Sequence, residues 1–253
     1  MSSSPLKSVP PVEKCSLIGQ KAIASYPARE EIGAIFLYFS NGTSDEVPEL
    51  YLPEQLSSPE WSAFLHAAEW QCNWQIPLEN RLDPMHAPFL HAVSFTLSYG
   101  VKQSVLLLHE TETGFVIERD NQIGVNIDRE EVTYRPGNNY WITSQVPYPK
   151  CVGGGFFGIV SHVTPIDDKR TYFWVYRCRK TSGWQRDMWH FLYKNRLNKR
   201  HFDVLEQDRE IMEGIPADVR SREVLIQSDV GIARMRRMLR QNAEEQIRVM
   251  KGT

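Results

Sequence analysis

The sequence predicts an α+β fold in which an antiparallel sheet is followed by long C-terminal helices. Between residues 93 and 175, apolar and polar residues tend to alternate, and turn-forming clusters such as E-T-E-T-G and R-P-G-N-N separate the runs. From residue 183 onward, apolar residues recur every three or four positions, which is typical of amphipathic helices. We therefore expect five to seven strands and then two helices.

The N-terminal part of the chain predicts a lead-in and a hairpin. Residues 1–24 are expected to be disordered or extended, because the first part is rich in Ser, Pro and Lys. Residues 25–39 hold a charged turn followed by six consecutive apolar residues, which favours the second strand of a hairpin. Residues 46–60 contain several prolines and are expected to form a connector, so residues 25–60 comprise the hairpin and this connector. Residues 61–69 are expected to form a short amphipathic element. The predicted main domain is 25–253.

The C-terminal third predicts two amphipathic helices. The first is expected to end at G-I-P, residues 214–216, and its apolar residues line one side. The second covers roughly residues 228–250, with four apolar residues inside and many arginines on a solvated face. The apolar positions of the first are Trp189, Leu192, Tyr193, Leu197, Val204, Leu205, Ile211 and Met212, and those of the second are Ile232, Met235, Met238 and Leu239.

Charge and cysteine content exclude several classes of function. The formal net charge is −2 and the pI is near 6.4, so neither nucleic acid nor a lipid surface is an expected partner. No apolar stretch approaches the roughly 18 residues of a membrane span, and the first residues lack an apolar segment. The four cysteines show no paired spacing, so we expect free thiols and a cytoplasmic protein.

The most informative run is N-R-L-D-P-M-H-A-P-F-L-H, residues 80–91. It holds two imidazoles, His86 and His91, and a carboxylate, Asp83, three residues before the first. Imidazole is the commonest metal ligand, and two imidazoles with one carboxylate form a facial triad that suits ferrous iron and leaves positions open for dioxygen. Asp208, in a predicted helix far downstream, is a candidate for the carboxylate that closes the triad.

The spacing of the two histidines predicts an irregular helix. Residues five apart on a regular α-helix point about 140° away from each other. His86 and His91 can share a metal only if the helix widens into a π-type turn or ends between them, and Pro88 lies where it would disrupt a regular helix. Asp83 lies about one turn before His86, so its carboxylate can accept the N–H that a metal-bound imidazole donates.

The motif E-N-x-x-D-x-x-H-x-x-x-x-H, residues 79–91, resembles that of the alpha subunit of Rieske-type non-haem iron aromatic ring-hydroxylating oxygenases. Y-P-A-R-E-E-I-G-A-I-F-L-Y-F resembles the strand pair that follows the Rieske domain in that family, and Q-D-R, residues 207–209, resembles the site of the third iron ligand. The resemblance implies a helix-grip (START/Bet v 1-like) fold, a curved antiparallel sheet wrapped over a long C-terminal helix. Residues 25–253 would be the mononuclear-iron catalytic domain.

The resemblance also implies roles for the motif residues. The iron ligands would be His86, His91 and Asp208. The catalytic residues would be Asp83 and Asn80, and Asp83 would bridge the iron site to the Rieske cluster of a neighbouring subunit. Dioxygen would be the co-substrate, and oxygen would be inserted into an aromatic or similarly apolar substrate. Five aromatic residues are candidates for lining the substrate pocket, although aromatic strand residues usually belong to the core: Phe89, Phe95, Phe156, Phe157 and Trp174.

The Rieske cluster itself is not expected in this chain. A Rieske 2Fe–2S centre needs C-x-H and C-x-x-H, and none of the four cysteines has a histidine two or three residues after it. We therefore expect partners: a Rieske-bearing oxygenase subunit and a reductase, with or without a ferredoxin, in a trimeric ring or hetero-oligomer. Alone, the chain would bind iron without turning over. A truncated or decayed gene is the other explanation.

Two other functions remain open from the sequence. The first alternative to an oxygenase is a structural subunit that completes an oxygenase ring without chemistry, and the second is a helix-grip module that binds hydrophobic ligands without metal. Within the oxygenases, the N-x-x-D spacing favours the monooxygenase and demethylase members over the ring dioxygenases. Two further histidines, His190 and His201, are expected to be packing or hydrogen-bonding groups.

Overall fold

A computed structural model describes most of the chain, which divides into two compact units. One unit comprises Met1–Leu50 with Gln246–Thr253, and the other comprises Tyr51–Glu245. The described residues are 2–5, 21–39, 47–94, 97, 104–120, 129–135, 140–148, 154–216 and 218–252.

The first unit contains two short antiparallel strand pairs. Strand β1 (Ser2–Pro5) pairs with β2 (Lys21–Ser25), and β3 (Ala28–Glu31) pairs with β4 (Ala34–Leu37). The turn between β3 and β4 is Ile32-Gly33, and both residues have positive φ, 51° and 76°. Such a two-residue turn matches the twist of a hairpin. The predicted hairpin is therefore confirmed; the division into lead-in and main domain stays a prediction.

The second unit is built on a seven-stranded antiparallel sheet with the order β5-β11-β10-β9-β8-β7-β6. From β6 to β11 each strand pairs with the next one along the chain, whereas β5 pairs with β11 at the sheet edge. The long connection from β5 to β6 contains the histidine motif. The strands are Trp61–Trp70 (β5), Leu106–Thr111 (β6), Gly114–Arg119 (β7), Arg129–Tyr134 (β8), Tyr140–Pro147 (β9), Phe156–Pro165 (β10) and Thr171–Lys180 (β11).

The helices follow the predicted order. A continuous helix from residue 183 to residue 213 contains a π-helical turn, Tyr193–Leu197, and is followed by Gly214. The described ranges contain no helix that is both long and apolar enough to cross a lipid bilayer. The helices are Glu54–Ser57 (α1), Gln75–Asn80 (α2), Ala87–Leu90 (α3), Gly183–Leu192 (α4), Asn198–Glu213 (α5) and Val230–Lys251 (α6), with 3-10 turns at Val219–Ser221 and Gln227–Asp229.

The core lies between one face of the sheet and the helices, which confirms the α+β class. The helix α6 contributes Met235 and Met238, both predicted to face inward and both buried. On the π turn, the ring of Tyr193 stacks on Phe64 of β5, with 3.9 Å between centroids. The wrapped shape specific to helix-grip folds stays a prediction. Other buried core residues are Trp70, Leu82, Phe115, Ile117, Val132, Ile142, Phe157, Phe173, Val175, Trp189, Leu205 and Met212.

Candidate metal centre

The histidine motif forms a single helical turn with one histidine at each end. His86 is the N-cap of α3, and His91 is its C-cap with φ −99° and ψ 34°. The expected irregularity is confirmed, because the helix begins after His86 and ends at His91. Pro88 plays a different part from the one predicted: it lies in the first turn of α3, where no N–H donor is needed, and so it starts a helix instead of breaking one.

Helix α5 brings Asp208 to the two histidines. Its Oδ1 lies 3.5 Å from His86 Nε2 and 3.3 Å from His91 Nε2. The nearest ligand atoms of the three residues all lie within 4.8 Å of one another. Asp208 shares the inward face of α5 with Leu205 and Met212, which are also buried. The three residues that the sequence nominated as iron ligands therefore meet at one buried point.

The second nitrogen of each imidazole is held by an oxygen. His86 Nδ1 contacts the main-chain carbonyl of Asp83, and His91 Nδ1 lies 2.9 Å from Gln207 Oε1. A carbonyl oxygen only accepts, so each Nδ1 carries a proton, and in the neutral imidazole Nε2 is the atom that can bind a metal. This is the orientation that metal-bound imidazoles adopt when a neighbouring oxygen fixes the tautomer.

The contact between Asp83 and His86 differs from the one expected. We predicted that the Asp83 carboxylate would accept the imidazole N–H, but the main-chain carbonyl does so. The carboxylate Oδ1 accepts the main-chain N–H of Met85 at 2.9 Å. An aspartate at the start of a turn commonly caps the N–H two residues on, and this leaves its carbonyl to face the ring.

The electrostatics of the three groups favour a cation between them. Burial alone would raise the pKa of Asp208, but the two imidazoles hold that pKa well below its usual range. Burial opposes protonation of His86, yet Asp208 and Asp83 raise its pKa above the ordinary value. Asp208 Oδ1 is buried and accepts no hydrogen bond from the described residues. Two imidazole nitrogens and one carboxylate oxygen suit ferrous iron, so these residues fit the metal that the resemblance implies.

Two cavities border His86. The larger is a cleft of about 540 Å³ whose lining includes Asn80, Asp83, His86 and Phe89. The smaller has a volume of about 20 Å³, and its lining includes the whole triad together with two arginines, Arg81 and Arg177, and apolar side chains.

The remaining predicted pocket residues lie elsewhere. Phe157 is buried between Trp189 and His201, in the core. Phe156 packs against Trp61, and the indole N–H of Trp174 donates to Thr164 Oγ1. None of these three lines either cavity at His86, and Phe95 lies outside the described residues. Of the five aromatic candidates, only Phe89 is a described lining residue of these two cavities.

Gln207, Arg81 and Arg177 are the functional candidates that sequence reasoning missed. Gln207 was noted only as part of Q-D-R, without a role. A signal for Arg177 was present: in T-Y-F-W-V-Y-R-C-R it shares its strand face with Phe173 and Val175, so alternation places a charge among core residues. Nothing local distinguishes Arg81 from other arginines.

Replacing Gln207 with Leu is expected to weaken metal binding by about 10- to 100-fold, the usual cost of losing a partner that orients a ligand. The reason is that His91 loses the oxygen that fixes its tautomer and ring plane. Anaerobic titration with Co²⁺, followed by its visible absorption, measures the affinity. Gln241→Leu, at an exposed position of α6, is the control and should bind like the wild type. Equal affinity in both variants would remove Gln207 from the site.

Comparison with known proteins shows which solved structures share this fold. The chain is similar in structure to Pseudomonas putida CBB5 NdmA with caffeine, with a TM-score of 0.64 and 16% identity over 94% of this chain and 68% of that one. It is also similar to the terminal oxygenase of carbazole 1,9a-dioxygenase from Novosphingobium sp. KA1, with a TM-score of 0.60 and 19% identity over 87% and 67%. A reduced complex between oxygenase and ferredoxin in carbazole 1,9a-dioxygenase matches with a TM-score of 0.61 and 14% identity over 86% and 64%.

At 14% to 19% identity, these similarities show that the chain shares the fold of these proteins, among them the terminal oxygenase of carbazole 1,9a-dioxygenase. More narrowly, residues 127–245 match the sequence profile of the vanillate O-demethylase oxygenase C-terminal domain. Asp208 and Arg177 lie inside the matched segment, whereas the histidine motif precedes it. No curated protein is significantly similar in sequence. The chain spans only about two thirds of the length of the solved structures, 64% to 68%.

Proposed function

We propose that this chain is the catalytic component of a mononuclear non-haem Fe(II) oxygenase that inserts oxygen from O₂ into a small organic substrate. The observation that supports this most directly is the buried meeting of His86, His91 and Asp208, with both Nε2 atoms directed at one carboxylate oxygen. The family profile and the similarity to oxygenase structures point the same way.

The proposal assigns a task to each residue of the centre. His86, His91 and Asp208 would hold the metal, and three protein ligands leave coordination positions free. When bound, ferrous iron supplies activation of O₂. The carbonyl of Asp83 and the amide of Gln207 keep the imidazoles in the metal-binding tautomer. The smaller of the two cavities at His86, called the inner cavity below, has apolar walls that keep bulk water away from the reacting atoms.

Asp83 is the proposed route for electrons. Its carbonyl contacts the ring of a proposed iron ligand, and the residue lines the open cleft beside Asn80. A path of a few atoms, which includes the hydrogen bond between the Asp83 carbonyl and His86 Nδ1, thus joins the cleft to the imidazole. We propose that a Rieske-bearing oxygenase subunit docks at this side and delivers electrons from a reductase. The complex of an oxygenase with ferredoxin among the similar structures is a precedent in that other protein.

The reaction class is proposed as hydroxylation at a C–H bond, including that of a methoxy group. One oxygen atom enters the C–H bond, and the other leaves as water after two electrons and two protons are supplied by the partner. A hydroxylated methoxy carbon then breaks down to the free hydroxyl compound and formaldehyde. The N-x-x-D spacing and the vanillate O-demethylase profile both favour this class over ring dioxygenation.

A reaction with hydrogen peroxide tests the proposal without the partner, because peroxide brings both the oxygen atom and the two electrons. Iron-loaded protein is mixed with H₂O₂ and a panel of methoxybenzoates that includes vanillate, and formaldehyde is measured. Wild type is expected to release formaldehyde from at least one of them, and His86→Ala is expected to release none. His109→Ala, an exposed histidine of β6, is the control and should match the wild type.

Two results would contradict the proposal in different ways. If no methoxybenzoate yields formaldehyde although the protein holds one iron per chain, the demethylation class is wrong. If His86→Ala releases as much formaldehyde as the wild type, the triad is not the reactive centre. The chain would then be left as a structural subunit of an oxygenase ring.

A further inference from the structure

The inner cavity contains a buried arginine, Arg177, that makes few hydrogen bonds to the described residues. Arg177 lies on the inward face of β11 with Phe173 and Val175, and only 3% of it is exposed. Isolated charges are rarely buried, because removing a guanidinium from water costs several kcal/mol unless partners replace the water. The function of Arg177 can therefore be inferred from the groups that contact its guanidinium.

Arg177 lacks sufficient partners among the described residues. Its Nη2 donates to the carbonyl of His201 at a long 3.5 Å, and its Nη1 is buried without a hydrogen-bond partner in the described part of the chain. Burial lowers the pKa of Arg177 to about 10, so the side chain still carries its charge at neutral pH. Burial also lowers the pKa of His201 to about 3, so the neighbouring imidazole is neutral.

The second arginine of the cavity differs in having partners. Arg81 donates to the hydroxyls of Ser144 and Ser161, and the Ser144 hydroxyl donates to Glu130 Oε1 at 3.1 Å. Glu130 is buried next to this chain of hydrogen bonds, and burial raises its pKa to about 7. The guanidinium of Arg81 is thus used within the protein. Arg177, in contrast, has hydrogen-bond donors that no acceptor among the described residues satisfies.

The charges of the residues that line the inner cavity favour binding of an anion. Among its described lining residues Asp208 is the sole acid, and that carboxylate faces His86 and His91. Because Arg81 is engaged by the hydrogen bonds that lead to Glu130, Arg177 and a metal dication at the triad would be the source of excess positive charge. The rest of the described lining is apolar, including Ile159, Phe173 and Val175. A ligand that satisfies this environment has one anionic group and an apolar body.

We infer that Arg177 is a substrate-binding residue that pairs with the carboxylate of an aromatic acid and so holds the acid beside the metal centre. This rests on the proposed oxygenase function and names the residue that would recognise the acidic group of such a substrate. The cavity volume of about 20 Å³ has room for about one water-sized group, so the acidic group enters it and the aromatic body displaces apolar side chains.

Binding of benzoate and benzamide tests this, because the two probes share shape and differ in charge. Equilibrium dialysis is run anaerobically on the Fe(II)-loaded protein in a chloride-free buffer of low ionic strength. Wild type is expected to bind benzoate about 10-fold or more tightly than benzamide, the scale of a charged hydrogen bond. Arg177→Met should lose that preference, and Arg177→Lys should keep part of it. Arg179→Met, two residues along the same strand and outside the cavity lining, is the control and should keep all of it.

Stability and metal content are measured on the same samples. Arg177→Met is expected to melt at the same temperature as wild type or higher, because an unpaired buried charge destabilises the fold. Equal affinity for both probes in the wild type, no binding of either at 10 mM, or an unchanged preference in Arg177→Met would overturn the inference. If any of these three results is obtained while the protein still holds one iron per chain, the inference about Arg177 is wrong but the oxygenase proposal is unaffected. Loss of iron from the wild type would instead be a failure of the proposed function.

Discussion

Asp208→Ala is expected to abolish tight metal binding while leaving the protein folded. Asp208 is the sole carboxylate of the triad, and its Oδ1 faces both imidazole nitrogens at 3.3 and 3.5 Å. Without it, two neutral imidazoles remain, and the ferrous ion loses both a ligand and the negative charge that offsets its own. The affinity should fall by more than the roughly 100-fold that removal of an orienting partner costs at most. Anaerobic titration with Co²⁺ measures the affinity, and circular dichroism checks the fold.

Asp203→Ala is the matched control for this prediction. Asp203 lies on the same helix five residues earlier and pairs on the surface with Lys199. Its loss removes a carboxylate from α5 without touching the triad, so the titration should match that of the wild type. An Asp208→Ala protein that folds and still binds Co²⁺ within about 10-fold of the wild type would contradict the assignment of Asp208 as a ligand.

Gly231→Ala is the second large expected effect, and it acts on stability. A Cβ at this position of α6 would lie 2.1 Å from Ile117 Cδ1 and 3.1 Å from the carbonyl oxygen of Leu82. Both Ile117 and Leu82 are almost fully buried, so neither has room to move. Helix propensity favours alanine over glycine by about 1 kcal/mol, but overpacking a tight contact costs about 1–3 kcal/mol. We expect a net loss of stability and a weaker metal site, since Leu82 immediately precedes Asp83.

Gly214→Ala provides the comparison for the same chemical change. A Cβ there would meet the carbonyl oxygens of Ile211 at 3.4 Å and Glu210 at 3.6 Å, which are ordinary contacts, and φ is −83°. Urea unfolding of both variants measures the free energies. Gly214→Ala should stay within about 0.5 kcal/mol of the wild type. If Gly231→Ala is as stable as Gly214→Ala, the close approach of α6 to the Leu82 carbonyl is not a constraint on this fold.

The sheet was predictable where its strands are apolar and locally paired. Within the alternating residues 93–175, the run G-F-V-I-E-R predicts a strand and corresponds residue for residue to β7, whose partners β6 and β8 lie next to it in the chain. Strand β8, R-E-E-V-T-Y, escaped prediction because half its residues are charged. Strand β5 escaped for another reason: its alanines and glutamate weaken the local signal, and it pairs with β11, about a hundred residues away.

The site was predictable in the same uneven way. Two histidines and an aspartate within one short run nominated a metal site from the sequence, and the resemblance of the whole motif to a known family supported it. Asp208 was a candidate from its place in a predicted helix, and the family resemblance then gave it the role of the third iron ligand. A local signal existed: Leu205, Asp208 and Met212 recur at helical spacing, so a carboxylate stands on an apolar face. The His91 contact with Gln207 joins residues 116 positions apart, which no local pattern reveals.

Iron loading tests the central proposal most directly. The purified wild-type protein is incubated anaerobically with excess ferrous salt, freed of unbound metal, and analysed for iron and protein. His86, His91 and Asp208 predict one tightly held iron per chain in the wild type, and far less than one in Asp208→Ala. A wild-type protein that retains far less than one iron per chain would contradict the oxygenase proposal. The chain would then be better explained as a module that binds hydrophobic ligands without metal.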